Sequence, residues 1–167
     1  MNSESGEWRL AERGDDGEVV EMSLALYAED PASRPVSEAQ VRLTLEAFRA
    51  QPARGRAVVL EADGRLAGYA FLVSFWSNEL GGEICTIDEL YVRSAWRGRG
   101  LASRLVEALE PEGHLWPGRP VALELEVSPG NVRALALYER LGFHVKRNRT
   151  LRRVGSGPLA FDEVPPV

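Results

Sequence analysis

The sequence predicts a single α/β domain in which helices flank a mixed, mostly antiparallel sheet. The chain has 167 residues, of which 44% are hydrophobic, so it can bury one sizeable core but has little room for two. Asp63-Gly64 stands between two strand-like runs, a pattern typical of a β-hairpin turn. After Val92, helical and strand-like patterns alternate, as they do in α/β proteins. We therefore expect one domain over residues 1–167, with a core at about 8–154 and a loose tail at 155–167.

The first half of the chain predicts a short strand, two helices and an antiparallel meander. The strand runs from Trp8 to Glu12, and a helix follows it. Apolar residues at helical spacing mark the face of this helix: Val20, Leu24 and Tyr27. Ser37 and Gln40 have the spacing of a capping box, which predicts the start of the second helix. The meander has three predicted strands: Ala57 to Ala62, Leu66 to Trp76 and Glu83 to Val92.

The second half predicts a glycine-containing loop, two helices and three strands. The loop, Arg97 to Gly100, leads into the first of these helices. Asn131 is a typical cap for the other helix, and Gly142 predicts its end. The predicted strands are Pro120 to Val127, Phe143 to Lys146 and Arg149 to Val154. The predicted order of elements is βααβββαβαββ.

Composition argues against several classes of protein. With 20 basic and 25 acidic residues the net charge is −5, so no broad basic surface for nucleic acid is indicated. One cysteine, Cys85, cannot form an internal disulfide, and with two histidines it offers no spacing for a zinc site. The first residues carry no targeting pattern, and the apolar runs are shorter than a membrane span. We therefore expect a cytoplasmic monomer or homodimer with no metal and no nucleic-acid or membrane partner.

The segment from Asp88 to Leu105 runs from a strand through the glycine loop into a helix. Such a loop exposes backbone N–H groups beside a helix N-terminus, where the partial positive charge favours the oxygens of a pyrophosphate. A Walker loop is excluded because Ser103 follows Ala102 rather than a lysine. A dinucleotide fingerprint is weak because Arg119 and Pro120 stand where it needs an acidic residue. Taken alone, the loop is equally compatible with an ordinary glycine turn.

Two motifs relate the chain to a known family. The run Arg97-Gly98-Arg99-Gly100-Leu101-Ala102 resembles the Q/R-x-x-G-x-G/A loop of the GCN5-related N-acetyltransferases (GNAT). Further on, Asn131-Val132-Arg133-Ala134-Leu135-Ala136-Leu137-Tyr138, followed by Leu141-Gly142-Phe143, resembles the second signature of the same family. The motifs stand in the family's order, and the predicted elements match the family fold from about Trp8 to Val154.

The resemblance implies that the chain binds acetyl-CoA. In the family the fourth and fifth strands splay apart, and the gap between them admits the thioester. The backbone of the fourth strand pairs with the pantetheine arm, the glycine loop cradles the pyrophosphate, and an asparagine contacts CoA. On this sequence the implied cofactor-binding residues are Leu90, Tyr91, Val92, Arg97, Gly98, Arg99, Gly100, Leu101, Ala102, Ser103 and Asn131.

The implied reaction needs an acid and a base. An amine attacks a thioester only when it is neutral, so its proton must be accepted, and the leaving thiolate is expelled more easily when it is protonated. Tyr138 matches the family's position for the acid; the alternative is a core tyrosine. For the base, Asp88 matches a glutamate of polyamine acetyltransferases and Glu126 matches the base of ribosomal-protein acetyltransferases, while a strand bulge could bring Glu89 to the cleft instead. We rank Asp88 first, then Glu89, then Glu126, with a structural role as the alternative for each.

The acceptor is predicted to be a small primary amine, with a peptide N-terminus or a lysine as second choice. Trp76 and Glu79, in the turn after the third strand, are candidate substrate-binding residues. Residues 1–92 hold 8 basic and 17 acidic residues, a net charge of −9, and residues 93–167 hold 12 and 8, a net charge of +4. This division favours a cationic acceptor on the acidic side. A non-catalytic acyl-CoA-binding module and a phosphate-binding interaction domain are the alternatives.

Overall fold

Five strands lie side by side in one sheet, in the order in which they occur along the chain. In the computed structural model, which describes residues 6–110 and 114–156, the strands are β1 (Glu7–Leu10), β2 (Gly55–Ala62), β3 (Arg65–Ser77), β4 (Gly82–Val92) and β5 (Ala122–Leu125). The helices are α1 (Asp16–Glu29), α2 (Glu38–Ala50), α3 (Leu101–Leu109) and α4 (Val132–Arg140). Strands β1 to β4 are antiparallel neighbours, and β5 is parallel to β4. The predicted α/β class, with a mixed and mostly antiparallel sheet, is confirmed.

The chain divides into two compact units, Met1–Glu126 and Val127–Val167. The first unit holds the sheet and the helices α1 to α3, and α4 lies in the described part of the second unit. The tail predicted at 155–167 lies outside the described residues from position 157 onward.

Helices α1 and α2 cover one face of the sheet. The capping box predicted for α2 is confirmed, because the Gln40 N–H donates to Ser37 Oγ at 3.4 Å and the Ser37 N–H donates to Gln40 Oε1 at 2.6 Å. The buried residues that join these helices to the sheet are Val19, Val20, Met22, Val41, Leu45, Val59, Leu66, Tyr69 and Phe71. The apolar face predicted for α1 is wrong at Leu24, which is 36% exposed, while Ser23 is buried instead. Helix α3 lies on the opposite face, where the Trp8 indole donates to the Leu101 carbonyl at 2.8 Å.

Strand β4 contains a bulge that reverses the side chains beyond it. On β3, Leu72 is paired with Ile87 and the preceding residue, Phe71, is paired with Glu89. Asp88 is therefore the extra residue of the bulge, and Ile87 and Glu89 lie on opposite faces of the sheet although they are two positions apart. The bulge that the sequence left open as a possibility is present, and it directs Glu89 toward the face covered by α1.

Strands β4 and β5 pair over only part of their length. Residues 84–87 of β4 pair with residues 122–125 of β5, and β5 ends there while β4 continues to Val92. One edge of β4 is therefore left without β5 over residues 88–92, which include the three residues that the resemblance pairs with the pantetheine arm. β5 is shorter than predicted, since it runs from Ala122 to Leu125 within the expected range of Pro120 to Val127.

The two strands predicted after Gly142 are wrong. The described residues 143–154, which include Phe143 to Lys146 and Arg149 to Val154, contain no β-strand. Val145 is 79% exposed and Leu151 is 94% exposed, so the apolar positions of these segments do not form a buried face. A strand needs both a hydrogen-bonded neighbour and a buried face to be stable, and the alternation of residues along one segment supplies neither.

We expect Leu45→Ala to lower the free energy of unfolding by about 2–5 kcal/mol, because Leu45 is 1% exposed in the core and its truncation leaves a cavity. Leu43→Ala is the matched control on the same helix, since Leu43 is 46% exposed and its loss changes stability by at most about 0.5 kcal/mol. Urea unfolding followed by tryptophan fluorescence measures both values. Equal losses in the two variants would contradict the packing of α2 described above.

Candidate active site

The bulge of β4 places Glu89 among three hydroxyl groups, and we call these four residues the Glu89 cluster. Tyr27 Oη donates to Glu89 Oε1 at 2.5 Å, and Tyr69 Oη donates to Oε2 at 2.5 Å. Ser23 Oγ donates to the same Oε2 atom at 3.2 Å. Ser23 and Tyr27 are four residues apart on α1 and so share one helix face, and Tyr69 lies on β3 two residues before Phe71, the partner of Glu89. Helix α1 and strand β3 thus both supply hydrogen-bond donors to a carboxylate on β4.

Burial dominates the electrostatics of the Glu89 cluster. It raises the pKa of the Glu89 carboxyl, an effect opposed by the hydroxyl donors and reinforced by the negative charge of Asp88. Burial and the nearby Glu89 carboxylate also raise the pKa of Tyr27 and of Tyr69, so both phenols stay protonated at neutral pH. The cluster therefore combines a carboxyl group of raised pKa with hydroxyl donors that are neutral.

The three carboxylates predicted as bases lie in different environments. Asp88 is the bulge residue, and its side chain is exposed. Glu126 is also exposed and lies just beyond the end of β5. Glu89 is half-buried and makes three described hydrogen bonds. The sequence does not identify Ser23, Tyr27 and Tyr69 as the partners of Glu89, because the spacing of Ser23 and Tyr27 shows only that they share one face of α1.

The end of β4 offers a backbone edge. On one side, Leu90, Tyr91 and Val92 pair with β3, and on the other side β5 has already ended. In an antiparallel pair the N–H and C=O groups of alternate residues point away from the partner strand, so such an edge presents free backbone groups. One of them is occupied, since Arg97 Nε donates to the Val92 carbonyl at 2.7 Å.

The glycine loop has a backbone that only glycine adopts easily. Gly98 has φ of 80° and Gly100 has φ of 74°, and a Cβ atom at either position would meet nothing within 4 Å. These glycines therefore serve the conformation of the loop and leave the space beside it open. Gly100 is the N-cap of α3 and has no side chain to bond the first-turn N–H groups, which include those of Leu101, Ala102 and Ser103. Open space at a helix N-terminus fits a phosphate group.

The two arginines of the loop have different surroundings. The Arg97 guanidinium forms two hydrogen bonds to the Glu29 carboxylate, at 3.0 and 2.8 Å, and lies 5.2 Å from the centre of the Tyr91 ring. Arg97 thus ties the end of α1 to the loop. Arg99 lies over the Trp96 ring at 4.9 Å and donates to the Ala95 carbonyl at 3.2 Å. The sequence treats both as donors to phosphate, whereas the structure gives Arg97 a carboxylate partner.

The second unit carries Asn131 and Tyr138. Asn131 Oδ1 accepts a hydrogen bond from the Ala134 N–H at 3.1 Å, which confirms the predicted helix cap. Tyr138 is half-buried, and its ring packs edge-on against Phe143 with centroids 5.7 Å apart. Burial raises the pKa of the Tyr138 hydroxyl, so it is protonated at neutral pH.

Trp76 and Glu79 lie away from the Glu89 cluster. Trp76 pairs with Glu83 near the far end of β4, whereas Phe71 pairs with Glu89. At about 3.3 Å per residue, the five positions from Phe71 to Trp76 span roughly 16 Å of strand. Both Trp76, at 68% exposure, and Glu79 are open to solvent. The structure does not bring these two predicted residues to the buried carboxylate.

The described residues contain neither a membrane-spanning helix nor a cluster of metal-binding side chains. Within residues 6–110 and 114–156, every helix is too short or too polar to cross a lipid bilayer. Over the same ranges, the side chains of His, Cys, Asp and Glu form no group of three that could hold a metal ion.

The fold and the two motifs agree with one protein family. The acetyltransferase (GNAT) family model matches residues 21–143, which is more than half of the chain. The chain belongs to the acetyltransferase (GNAT) family. Its members use acetyl-CoA, and this chain is accordingly an N-acetyltransferase. No curated protein sequence matches the chain significantly.

Solved structures share the GNAT fold over nearly the whole chain. A possible acetyltransferase from Clostridium difficile 630 has 19% identity and a TM-score of 0.74, covering 89% of this chain and 97% of its own. Ribosomal-protein-alanine N-acetyltransferase from Brucella melitensis biovar Abortus 2308 has 22% identity and a TM-score of 0.64, covering 90% and 100%. An aminoglycoside N-acetyltransferase in complex with CoA has 16% identity and a TM-score of 0.66, covering 92% and 99%. At these identities the likeness establishes the fold.

We expect Cys85 to be unreactive in the folded GNAT domain. It is fully buried on β4, and burial together with the charge of Glu83 raises the pKa of its thiol to about 12, so almost no thiolate exists at neutral pH. Iodoacetamide should label Cys85 only after urea unfolding, and Cys85→Ala should retain acetyl transfer. Fast labelling of the folded protein that acetyl-CoA prevents would instead indicate a cysteine nucleophile.

Proposed function

We propose that this GNAT chain transfers an acetyl group from acetyl-CoA to a small cationic primary amine, by direct attack in a ternary complex. The observation that carries the proposal is the half-buried Glu89 carboxylate, which accepts hydrogen bonds from hydroxyl groups and lies on the part of β4 that β5 leaves open. The proposal treats residues 1–167 as one catalytic domain, in line with a family match that spans both compact units. It includes a cytoplasmic location, with which the free Cys85 agrees, and a monomer or homodimer.

The cofactor side of the proposal rests on the loop and the edge of β4. Acetyl-CoA supplies the thioester carbon that the amine attacks. The backbone of residues 90–92 would pair with its pantetheine arm, and residues 98–103 would hold its pyrophosphate through backbone N–H groups at the start of α3. Open space beside Gly98 and Gly100 supports this fit. Arg99 and Asn131 complete the proposed contacts, and Arg97 contributes by holding the loop against Glu29.

The proposed base is Glu89 rather than the higher-ranked Asp88. A base works best when its pKa lies near the working pH, and the pKa of Glu89 is raised in that direction, chiefly by burial. Asp88 is exposed, and its negative charge helps to raise the pKa of the Glu89 carboxyl. The proposed acid is Tyr138, whose protonated hydroxyl would supply the proton that the CoA thiolate takes. These side chains supply both proton transfers, so the proposal includes no metal.

The preference for a cation rests on which acidic groups are neutralised. On α1, Glu18 and Glu21 pair with Arg93, and Glu29 pairs with Arg97, so arginines neutralise part of the negative charge of this helix. The described hydrogen bonds of Glu89 come from neutral hydroxyls, which leave its charge in place. A cationic amine would therefore be attracted by the charge of Glu89 in addition to the net negative charge of residues 1–92.

We expect the purified protein to release free CoA thiol when it is mixed with acetyl-CoA and a short diamine. Three acceptors of equal length separate the charge effect: the diamine, a monoamine and an ω-amino acid. The kcat/KM should be at least about tenfold higher for the diamine than for the amino acid at low salt, and the ratio should fall as salt screens the attraction.

Peptides with a free N-terminus or a lysine test the second class of acceptor. Equal rates for all three small amines would contradict the charge preference. CoA binding in calorimetry without thiol release for any acceptor would favour a non-catalytic module.

We expect Tyr138→Phe to lower kcat about 10²-fold with little change in the affinity for acetyl-CoA, since loss of a general acid costs at least that much. Glu89→Gln is the comparison. Glu89 must be deprotonated to act, and its pKa is raised, so wild-type kcat should increase with pH through a midpoint above that of an ordinary glutamate. That acidic limb should persist in Tyr138→Phe and vanish in Glu89→Gln. Full turnover by the tyrosine variant would remove the acid assignment.

A further inference from the structure

The three donors to Glu89 differ in whether they can reach a bound substrate. Ser23 and Tyr69 are each 0% exposed, so their hydroxyls are sealed within the packed face beneath α1. Tyr27 is half-buried, and part of its side chain reaches the surface. Of the three residues that donate to Glu89, Tyr27 is therefore the one that a substrate can approach from solvent.

The hydrogen bonds of the carboxylate also favour Tyr27 as the point of entry. Each carboxylate oxygen accepts about two hydrogen bonds. Oε2 already accepts two, from Tyr69 and Ser23, while Oε1 accepts one, from Tyr27. The remaining capacity of Glu89 is on the Tyr27 side. A phenol that donates its hydrogen still has lone pairs on its oxygen, so Tyr27 Oη can accept a hydrogen bond from an ammonium group while it donates to Glu89.

We propose that Tyr27 relays the proton of the acceptor amine to Glu89, an inference that rests on the proposed acetyltransferase function. The N–H bond of the ammonium breaks as its proton moves to Tyr27 Oη. In the same step the original Oη–H bond breaks and that proton moves to Glu89 Oε1. Tyr27 ends the step neutral, as it began, Glu89 becomes a neutral carboxylic acid, and the amine keeps the electron pair with which it attacks the thioester.

The electrostatics of the Glu89 cluster suit a relay better than a tyrosinate base. The titratable groups that face Glu89 are Tyr27 from α1, Tyr69 from β3 and Asp88 from β4 itself. Burial and the charge of Glu89 raise the pKa of Tyr27, with a smaller contribution from Asp88, so a free tyrosinate does not form near neutral pH. A relay in which both protons move together passes through no free tyrosinate. The 2.5 Å distance between Tyr27 Oη and Glu89 Oε1 is short enough for the second transfer.

Helix α1 does not depend on the Tyr27 hydroxyl for its position. Arg93 donates to Glu21 at 2.8 Å and Arg97 donates to Glu29 at 2.8 Å, so ion pairs hold the helix to the residues that follow β4. The buried side chains of Val19 and Met22 hold its underside. Removing one hydroxyl should therefore leave the helix in place, and Tyr27→Phe is a fair test of chemistry rather than of folding.

The experiment compares Tyr27→Phe with Tyr69→Phe, two variants that each remove one phenol hydroxyl from the same carboxylate. Both lose a hydrogen bond that lowers the pKa of Glu89, so the acidic limb of the kcat profile should move to higher pH in both. Only Tyr27→Phe also breaks the relay, so its kcat on the plateau above that limb should fall about 10- to 100-fold while Tyr69→Phe loses far less. Leu24→Ala, an exposed substitution on α1, controls for changes to the helix surface.

A second measurement separates lost proton transfer from lost structure. An acceptor amine whose own pKa lies below the assay pH arrives neutral and needs no relay. With such an amine, Tyr27→Phe should recover to within about threefold of wild type, and Glu89→Gln should recover as well, since both lack the same proton path. A variant damaged in its structure would stay slow with every amine, and its CoA affinity in calorimetry would fall.

The possible failures are distinguishable. If wild-type protein acetylates no amine, the proposed function is wrong and the relay is wrong with it. If wild type is active and Glu89→Gln is impaired, but Tyr27→Phe keeps its plateau kcat, Glu89 takes the proton without Tyr27 and the relay alone is overturned. Equal plateau losses in Tyr27→Phe and Tyr69→Phe, without recovery by the neutral amine, would also overturn it.

Discussion

The burial of the Glu89 carboxylate is the constraint on which the candidate active site depends. A carboxylate taken out of water costs several kcal/mol unless hydrogen bonds replace its hydration, so the surrounding elements must supply donors. Here Ser23 and Tyr27 from α1 and Tyr69 from β3 do so. Their convergence requires the bulge at Asp88, because an unbroken strand would leave Glu89 on the face of Ile87, away from α1. One extra residue in β4 thus sets the position of the charge.

The same helix is joined to the cofactor loop by ion pairs. Arg97 belongs to the glycine loop and binds Glu29 at the end of α1, and Arg93 binds Glu18 and Glu21, which precede Tyr27 on the same helix. Some basic residues of the second half of the chain therefore pair with acidic residues of the first half, as Arg93 and Arg97 do with carboxylates of α1. Two groups are suited to charged ligands. The backbone at the start of α3 suits an anion, and the Glu89 cluster suits a cation.

Local signals predicted most of the fold, and long-range pairings account for what they missed. The capping box at Ser37, the Asp63-Gly64 turn and the Asn131 cap each depend on neighbouring residues, and the structure contains all three. The family motifs were also local, and the family assignment is confirmed. The hydrogen-bond partners of Glu89 lie 20 to 66 residues from it along the chain, and the bulge depends on how β4 pairs with β3, so one sequence holds no direct signal for either. The strands expected after Gly142 failed for the opposite reason: alternation was present, but no neighbouring strand pairs with the described residues there.

The arrangement around Glu89 balances two opposing effects on its basicity. Burial and the adjacent Asp88 raise the pKa of the carboxyl, while each hydroxyl that bonds to the carboxylate lowers it. Without the hydroxyls, burial would favour the protonated carboxyl more strongly, and a protonated Glu89 cannot accept a proton from an amine. With a bonded arginine in their place, it would be a weak base and its charge would be cancelled. Neutral donors avoid both outcomes, because they stabilise the anion while leaving it basic and negatively charged for the proposed cationic acceptor.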